Sequence, residues 1–161
     1  NKLKNIVSLL DGSNLSVRRI LSELRPDILN NYGLLEALEW QGRQFTASSS
    51  IPINFTCNES ENKFNENITT CIFRVYQEAL TNILRYAAAK NVISSLSCSD
   101  NQIYFTIEDD GKGFDTNAVN NKKSFGILGM KERVLSLNGI FNLISSPGNG
   151  TKIILSLPYT D

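Results

Sequence analysis

Arg74, Glu78, Asn82 and Arg85 recur at spacings of four, four and three. If residues 67–89 form a helix, that spacing puts all four on one stripe. A carboxylate and an amide oxygen one helical turn apart can together hold a hydrated magnesium ion. Magnesium takes few protein ligands and completes its shell with phosphate oxygens and water. The alternative is a solvated helix face, the usual meaning of such a stripe. Asn82 weighs against it, because Asn is only a middling helix former and needs a reason to sit in a helix interior. So do Ala79, Leu80, Ile83 and Leu84, whose apolar side chains narrow the polar stripe from both sides.

A second candidate is the acid at the end of an alternating run. Ile103, Phe105 and Ile107 share one face of a predicted strand, and the same period sends Asp109 inward and Glu108 outward. An inward carboxylate is costly unless something pairs with it. The partner is either a backbone amide of the Asp109-Asp110-Gly111 turn or a donor on a ligand, such as the amino group of adenine. Gly111 and Gly113 follow and permit close approach of backbone. Two further segments carry weaker signals. Phe125-Gly126-Ile127-Leu128-Gly129-Met130-Lys131-Glu132-Arg133 has two glycines leading into a predicted helix, where free N–H groups could face phosphates; an ordinary helix start fits as well. Gly148-Asn149-Gly150-Thr151 reads as a hairpin turn, with the Thr151 hydroxyl on the inward face of the next strand. Neither GxxxxGK[ST] nor GxGxxG occurs, so a nucleotide site here has another design. The chain has no histidine, which excludes a Ser-His-Asp triad, a Cys-His dyad and any His-ligated metal within it.

The elements that must hold these groups are legible from periodicity. Asn67 to Ala89 is the strongest helix, with Ile68, Cys71, Ile72, Val75, Ala79 and Ile83 as its apolar stripe. Gly33 to Phe45 predicts another, with Leu34, Leu35, Leu38 and Phe45 inward, and a shorter one is expected from Gly129 to Leu137. Strands are expected at 51–57, 92–98, 103–107, 140–144 and 152–157, with Ser99-Asp100-Asn101 as a hairpin turn. Asn58 to Asn65 reads as a turn and Asp109 to Ser124 as a long loop. The expected fold is α+β: a two-layer sandwich with a mixed, mostly antiparallel sheet and helices on one face. Ahead of it, Leu3, Ile6, Leu10, Val17, Ile20 and Leu24 keep a heptad pattern that Arg25-Pro26 ends. That stripe fits a bundle or coiled-coil helix packed on a partner chain.

Sixteen basic residues balance sixteen acidic ones among 161, leaving no electrostatic footprint for nucleic acid or an anionic membrane. No apolar run is long enough to span a bilayer and no signal peptide is visible. Cys57, Cys71 and Cys98 fit neither a zinc site nor a redox pair and read as free thiols in a reducing compartment. Two Asn-x-Thr triplets, at Asn54 and Asn67, match the glycosylation pattern, which an Asn-rich chain yields by chance. A first residue other than Met suggests a piece of a longer protein.

In order, Gln77-Glu78-Ala79-Leu80-Thr81-Asn82, Asp109-Asp110-Gly111-Lys112-Gly113-Phe114, Gly126-Ile127-Leu128-Gly129-Met130-Lys131-Glu132-Arg133 and Gly148-Asn149-Gly150-Thr151 resemble the N, G1, G2 and G3 boxes of the gyrase, chaperone and histidine-kinase ATPase superfamily, the Bergerat fold. Leu24-Arg25-Pro26, Gly33-Leu34-x-x-Ala37-Leu38 and the Gly-Met-x-Glu-Arg form are similar to the nitrate-sensor-like branch of sensor histidine kinases. The resemblance implies an ATP-binding catalytic domain at 26–161, preceded at 1–25 by the end of a dimerisation helix whose phospho-acceptor histidine lies outside the chain. It implies ATP and Mg2+ as ligands, with Asn82 on the metal, Glu78 in the catalytic role and Arg85 on phosphates. Asp109 would take the adenine amino group, Gly111 and Gly113 would line the base, Gly126, Gly129 and Met130 would close over the nucleotide, and Thr151 would support Asp109. Tyr86, at the nucleotide too, stands where the branch usually has His; a phenol still hydrogen-bonds. The implied protein is a cytoplasmic kinase region, homodimeric through its N-terminal bundle, relaying phosphate to a response regulator, its parent attached to a membrane or not. The alternatives are a degenerate nucleotide-binding or dimerisation module without kinase activity and another ATPase of the superfamily.

Overall fold

The structure is a computed structural model and describes residues 27–58, 64–116 and 125–158. The heptad helix expected over 1–25, with the domain boundary after it, lies outside the described residues, as do parts of the expected 58–65 turn and 109–124 loop. In chain order the elements are α1 (Asp27–Ser49), β1 (Ile53–Cys57), α2 (Glu66–Asn82) continued by a π-helical turn (Ile83–Ala87), β2 (Val92–Ser99), β3 (Gln102–Asp109), α3 (Phe125–Leu135), β4 (Ile140–Ser145) and β5 (Thr151–Pro158). The five strands form one sheet in the order β1-β2-β3-β5-β4. β1 runs parallel to β2 and every other pairing is antiparallel. The α+β sandwich expected from the hydrophobic pattern is the fold observed.

Alternation decides which face the helices cover. Val92, Ser94 and Leu96 on β2, Ile103, Phe105 and Ile107 on β3, and Leu155 and Leu157 on β5 are buried, while the residues that alternate with them face outward. α2 lies across this face and is buried on two sides, so Phe73, Tyr76 and Leu80 join the predicted stripe in the core. Tyr76 meets Phe105 edge-on, with ring centroids 5.7 Å apart. α2 begins at an Asn65 cap whose side chain accepts from the Ile68 N–H at 3.0 Å.

Three boundaries differ from the sequence expectation. α1 starts at Asp27, not Gly33, and Gly33 is a break inside it with φ 85. The extra turn is held by Leu29, which is buried, and glycine supplies the left-handed φ that joins the two runs. The hairpin needs only Asp100 and Asn101, both at positive φ (51 and 58), the two-residue turn whose twist matches the strands. α3 starts at Phe125, so Gly126 and Gly129 are inside the helix, not ahead of it. Cys71 is buried, and burial pushes its thiol up to about 11, while Cys57 is exposed. Among the described residues no helix is long and apolar enough to cross a membrane.

Candidate functional site

Where the end of α2, the segment after β3 and the start of α3 meet over β3 and β5, they enclose a cavity of about 710 Å³. That is the size of a site for a drug-sized ligand or cofactor.

Asp109 forms its floor. It ends β3 on the inward face, opposite Thr151 of β5, and is only 5% exposed. Burial pushes its carboxyl above the ordinary Asp value. Backbone N–H groups of Gly111 and Thr151 draw it back, the former donating to Oδ1 at 2.8 Å, and the charges of Asp110 and Glu108 add to the rise. Glu108 faces outward and pairs with Lys152 at 2.9 Å. The floor thus carries an acid that two backbone donors satisfy only in part, lying against open volume.

The turn after Asp109 is fixed on three sides. Asp110 accepts from the backbone N–H groups of Lys90 (2.7 Å) and Asn91 (2.9 Å) and from the Asn91 amide (2.8 Å). Lys112 donates its backbone N–H to Ala87 at 2.8 Å, tying the turn to the end of α2. Gly150 donates to Gly111 (2.8 Å) and Gly148 to Lys112 (2.7 Å), clamping the β4–β5 hairpin alongside. Ser145 completes the clamp: its hydroxyl donates to the Gly150 carbonyl at 2.7 Å and accepts from Phe114 N–H at 2.9 Å. Gly111 has no room for a side chain, because a Cβ there would strike Ala87.

The Asp110 bonds have a pH signature. They hold its carboxyl at about 2, below the ordinary 3.8, the Asn91 side-chain bond contributing most. A depressed folded-state value gives stability that is present above pH ~3.8 and is lost as the pH falls through about 2. Melting temperatures of the wild type and Asp110→Asn are therefore expected to differ near neutral pH and to converge between pH 4 and 2; a constant offset across that range would contradict it.

The opposite wall belongs to α2. Asn82 Nδ2 donates to Glu78 Oε1 at 3.4 Å, and in that orientation the amide oxygen is the atom left for a cation. Gly126 abuts the Glu78 carboxylate so closely that a Cβ would collide with Oε1. The first turn of α3 thus sets the Glu78 side chain, which explains a glycine within a helix. Beyond Asn82 the helix widens into its π turn, a device common at functional sites. Arg85 and the 62% exposed Tyr86 lie on this turn at the cavity, and Ala88 closes it in the left-handed conformation.

Glu78, Asn82, Arg85, Tyr86, Asp109, Gly113, Gly126, Met130 and Thr151 are thus brought to one cavity. Gly111 and Gly129 are not among its lining residues: Gly111 supports Asp109 from outside, and nothing approaches Gly129 within 4 Å of where its Cβ would be. Arg74, the first member of the polar stripe, turns away and donates to Gln77 at 2.9 Å. Sequence reasoning did not single out Lys112, Phe114, Phe125 or Leu143, which also line the cavity. The first three lie inside segments noted for their glycines. Phe125, 75% exposed at the head of α3, lies between the loop expected over 109–124 and the helix expected from Gly129. Leu143 had no signal beyond strand alternation.

The profile of the family described as histidine kinase-, DNA gyrase B-, and HSP90-like ATPase matches residues 68–161. The chain is 36% identical, over 162 aligned residues and 99% of its length, to the oxygen sensor histidine kinase NreB of Staphylococcus carnosus, of which it covers 45%. It is 33% identical over 99% of its length to the signal transduction histidine-protein kinase/phosphatase DegS of Brevibacillus brevis, covering 41%. The chain therefore spans less than half the length of these relatives. Among solved structures, the histidine kinase AdeS of Acinetobacter baumannii superposes with a TM-score of 0.70 at 14% identity, over 97% of this chain and 84% of that one, a likeness of fold.

Proposed function

Since the chain belongs to the histidine kinase-, DNA gyrase B-, and HSP90-like ATPase family, which implies ATP binding, we propose that it is the catalytic domain of a two-component sensor histidine kinase, delivering the γ-phosphoryl of ATP to a histidine outside residues 1–161. Kinship with two sensor kinases over 99% of its length supports the reading. The observation that carries it is a buried acid, Asp109, across one cavity from the Glu78–Asn82 pair.

The residues present fit the ligands. An acceptor-only carboxylate at the floor suits the amino group of adenine. The Asn82 amide oxygen with Glu78 beside it suits a magnesium ion that takes its other ligands from phosphates and water. When bound, the ion would supply neutralisation of phosphate charge. Arg85 and Tyr86 at the mouth would contact phosphates as cation and hydroxyl donor. Gly113, Gly126 and Met130 would line the nucleotide, Gly129 would act through the helix that carries it, and Gly111 and Thr151 would hold Asp109 in place. Glu78 would orient the groups around the transferred phosphoryl and accept a proton there. Phosphoryl transfer needs no covalent nucleophile from this chain: positioning and charge stabilisation carry it. Residues 1–25 would end the dimerisation helix of a cytoplasmic homodimeric kinase, and the phosphate would pass on to a response regulator.

The test is label transfer. Mixed with a separately purified acceptor-helix segment and labelled ATP, the chain is expected to phosphorylate that segment and not itself. Binding without transfer would favour the degenerate module, the reading to which an exposed Tyr86 in the N box gives weight. Steady phosphate release by the chain alone would favour another ATPase of the superfamily.

A further inference from the structure

The last strand in the order of the sheet is unguarded. β4 pairs with β5 on one side, and among the described residues nothing pairs with the other. Its sequence, Ile140-Phe141-Asn142-Leu143-Ile144-Ser145, carries no charge and no proline, the features by which edge strands are normally protected. Ile140 and Ile144 are 60% and 58% exposed.

The pattern of that strand is symmetric about Asn142. In an antiparallel pairing of two copies centred there, Asn142 meets Asn142, Phe141 meets Leu143, and Ile140 meets Ile144, so every position faces a residue of its own kind. The helix above the edge has the same property. Gly126 abuts Glu78 on α2, the charge of Arg133 acts on Arg74 and Cys71 of α2, and Met130 and Val134 are buried in the core. At 100° per residue this leaves Leu128, Lys131 and Leu135 on the flank opposite α2, over the free edge. Leu128 and Leu135 are 46% and 50% exposed. If α3 packs antiparallel on a second α3 about a centre between Lys131 and Glu132, Leu128 meets Leu135 and Lys131 meets Glu132. Both centres lie about 5–7 Å from the turn that joins α3 to β4. One twofold axis can therefore serve strand and helix together, and the charges on it are complementary.

We propose that this edge is a self-association surface: two copies of the chain join through antiparallel β4–β4 pairing centred on Asn142, with α3 on α3 above it, making one continuous sheet of two five-stranded halves. An isologous contact of this kind is closed and stops at two copies. One short strand and one helix flank make a small interface, so the dimer is weak and forms at high protein concentration. The contact is separate from any bundle formed by residues 1–25 and does not depend on the catalytic reading.

Sedimentation equilibrium over a concentration series tests it. The wild type is expected to rise from the 17.9 kDa of one chain towards twice that mass. Asn142→Lys puts two like charges face to face on the axis and is expected to weaken association about tenfold or more. Lys131→Glu, which opposes two carboxylates, should weaken it as well, and adding Glu132→Lys should restore it. All three positions are exposed, so unchanged melting curves show that the fold is kept. A wild type that stays at one-chain mass at every concentration, or a dimer indifferent to Asn142→Lys and not rescued by the charge swap, would overturn the proposal.

Discussion

Asp109→Asn is expected to weaken ATP binding by about 2 kcal/mol or more, roughly 30-fold, while leaving the fold as stable as before or more so. The two halves of that expectation have one cause. The carboxylate is 5% exposed, and its value is raised chiefly by burial, so holding the ionised form costs the folded protein more than the unfolded chain. Asn is the same size and can still accept from Gly111 N–H, but it brings no charge, so folding does not suffer. The charge is of use only when a donor arrives in the cavity, because a hydrogen bond to an ionised acceptor is about twice as strong as a neutral one. Calorimetric titration and a melting curve on both proteins check it. A stability loss with unchanged affinity would make Asp109 a structural acid.

Gly150→Ala is expected to be among the most damaging single substitutions for the fold, at about 3 kcal/mol or more. Gly150 has φ +63, and a Cβ there would collide with the backbone carbonyl of Asp109. That neighbour is main chain of a central strand and cannot swing aside. Gly148, two residues earlier in the same turn, separates the causes: its φ is +85 but nothing lies within 4 Å of its would-be Cβ. Gly148→Ala should therefore lose only the left-handed strain, about 1 kcal/mol. Urea unfolding midpoints of the two variants measure the difference. Equal losses would mean that the close crossing of the hairpin over Asp109 has no energetic weight.

How much of this was legible beforehand differs by element. The inward Asp109 followed from strict alternation on β3, and the Glu78–Asn82 spacing followed from the helical period, because both depend on local geometry alone. The stripe Ile68 to Ile83 was readable for the same reason, and it is buried as expected. The crossing of the Gly148–Gly150 hairpin over the Gly111–Gly113 segment was not readable. It joins residues nearly forty positions apart through backbone contacts that leave no mark on hydrophobic pattern. The role of Ser145 was hidden likewise, since a serine at a strand end has no signature until its three partners are in place. Gly126 misled in the other direction. A glycine suggests a helix boundary, but here it is required inside the helix by contact with Glu78. The π turn after Asn82 depends on how α2 ends against the Gly111 turn, and the periodicity that revealed α2 continues straight through it.

If the cavity takes ATP with its base on Asp109, the amino group of that base is the feature to remove. Calorimetric titration with ATP and with inosine triphosphate, which has a carbonyl in place of the amino group, tests it directly. Binding of ATP at least about tenfold tighter in the wild type, with most of that preference gone in Asp109→Asn, is the predicted result. Equal affinity of the wild type for the two nucleotides would contradict it.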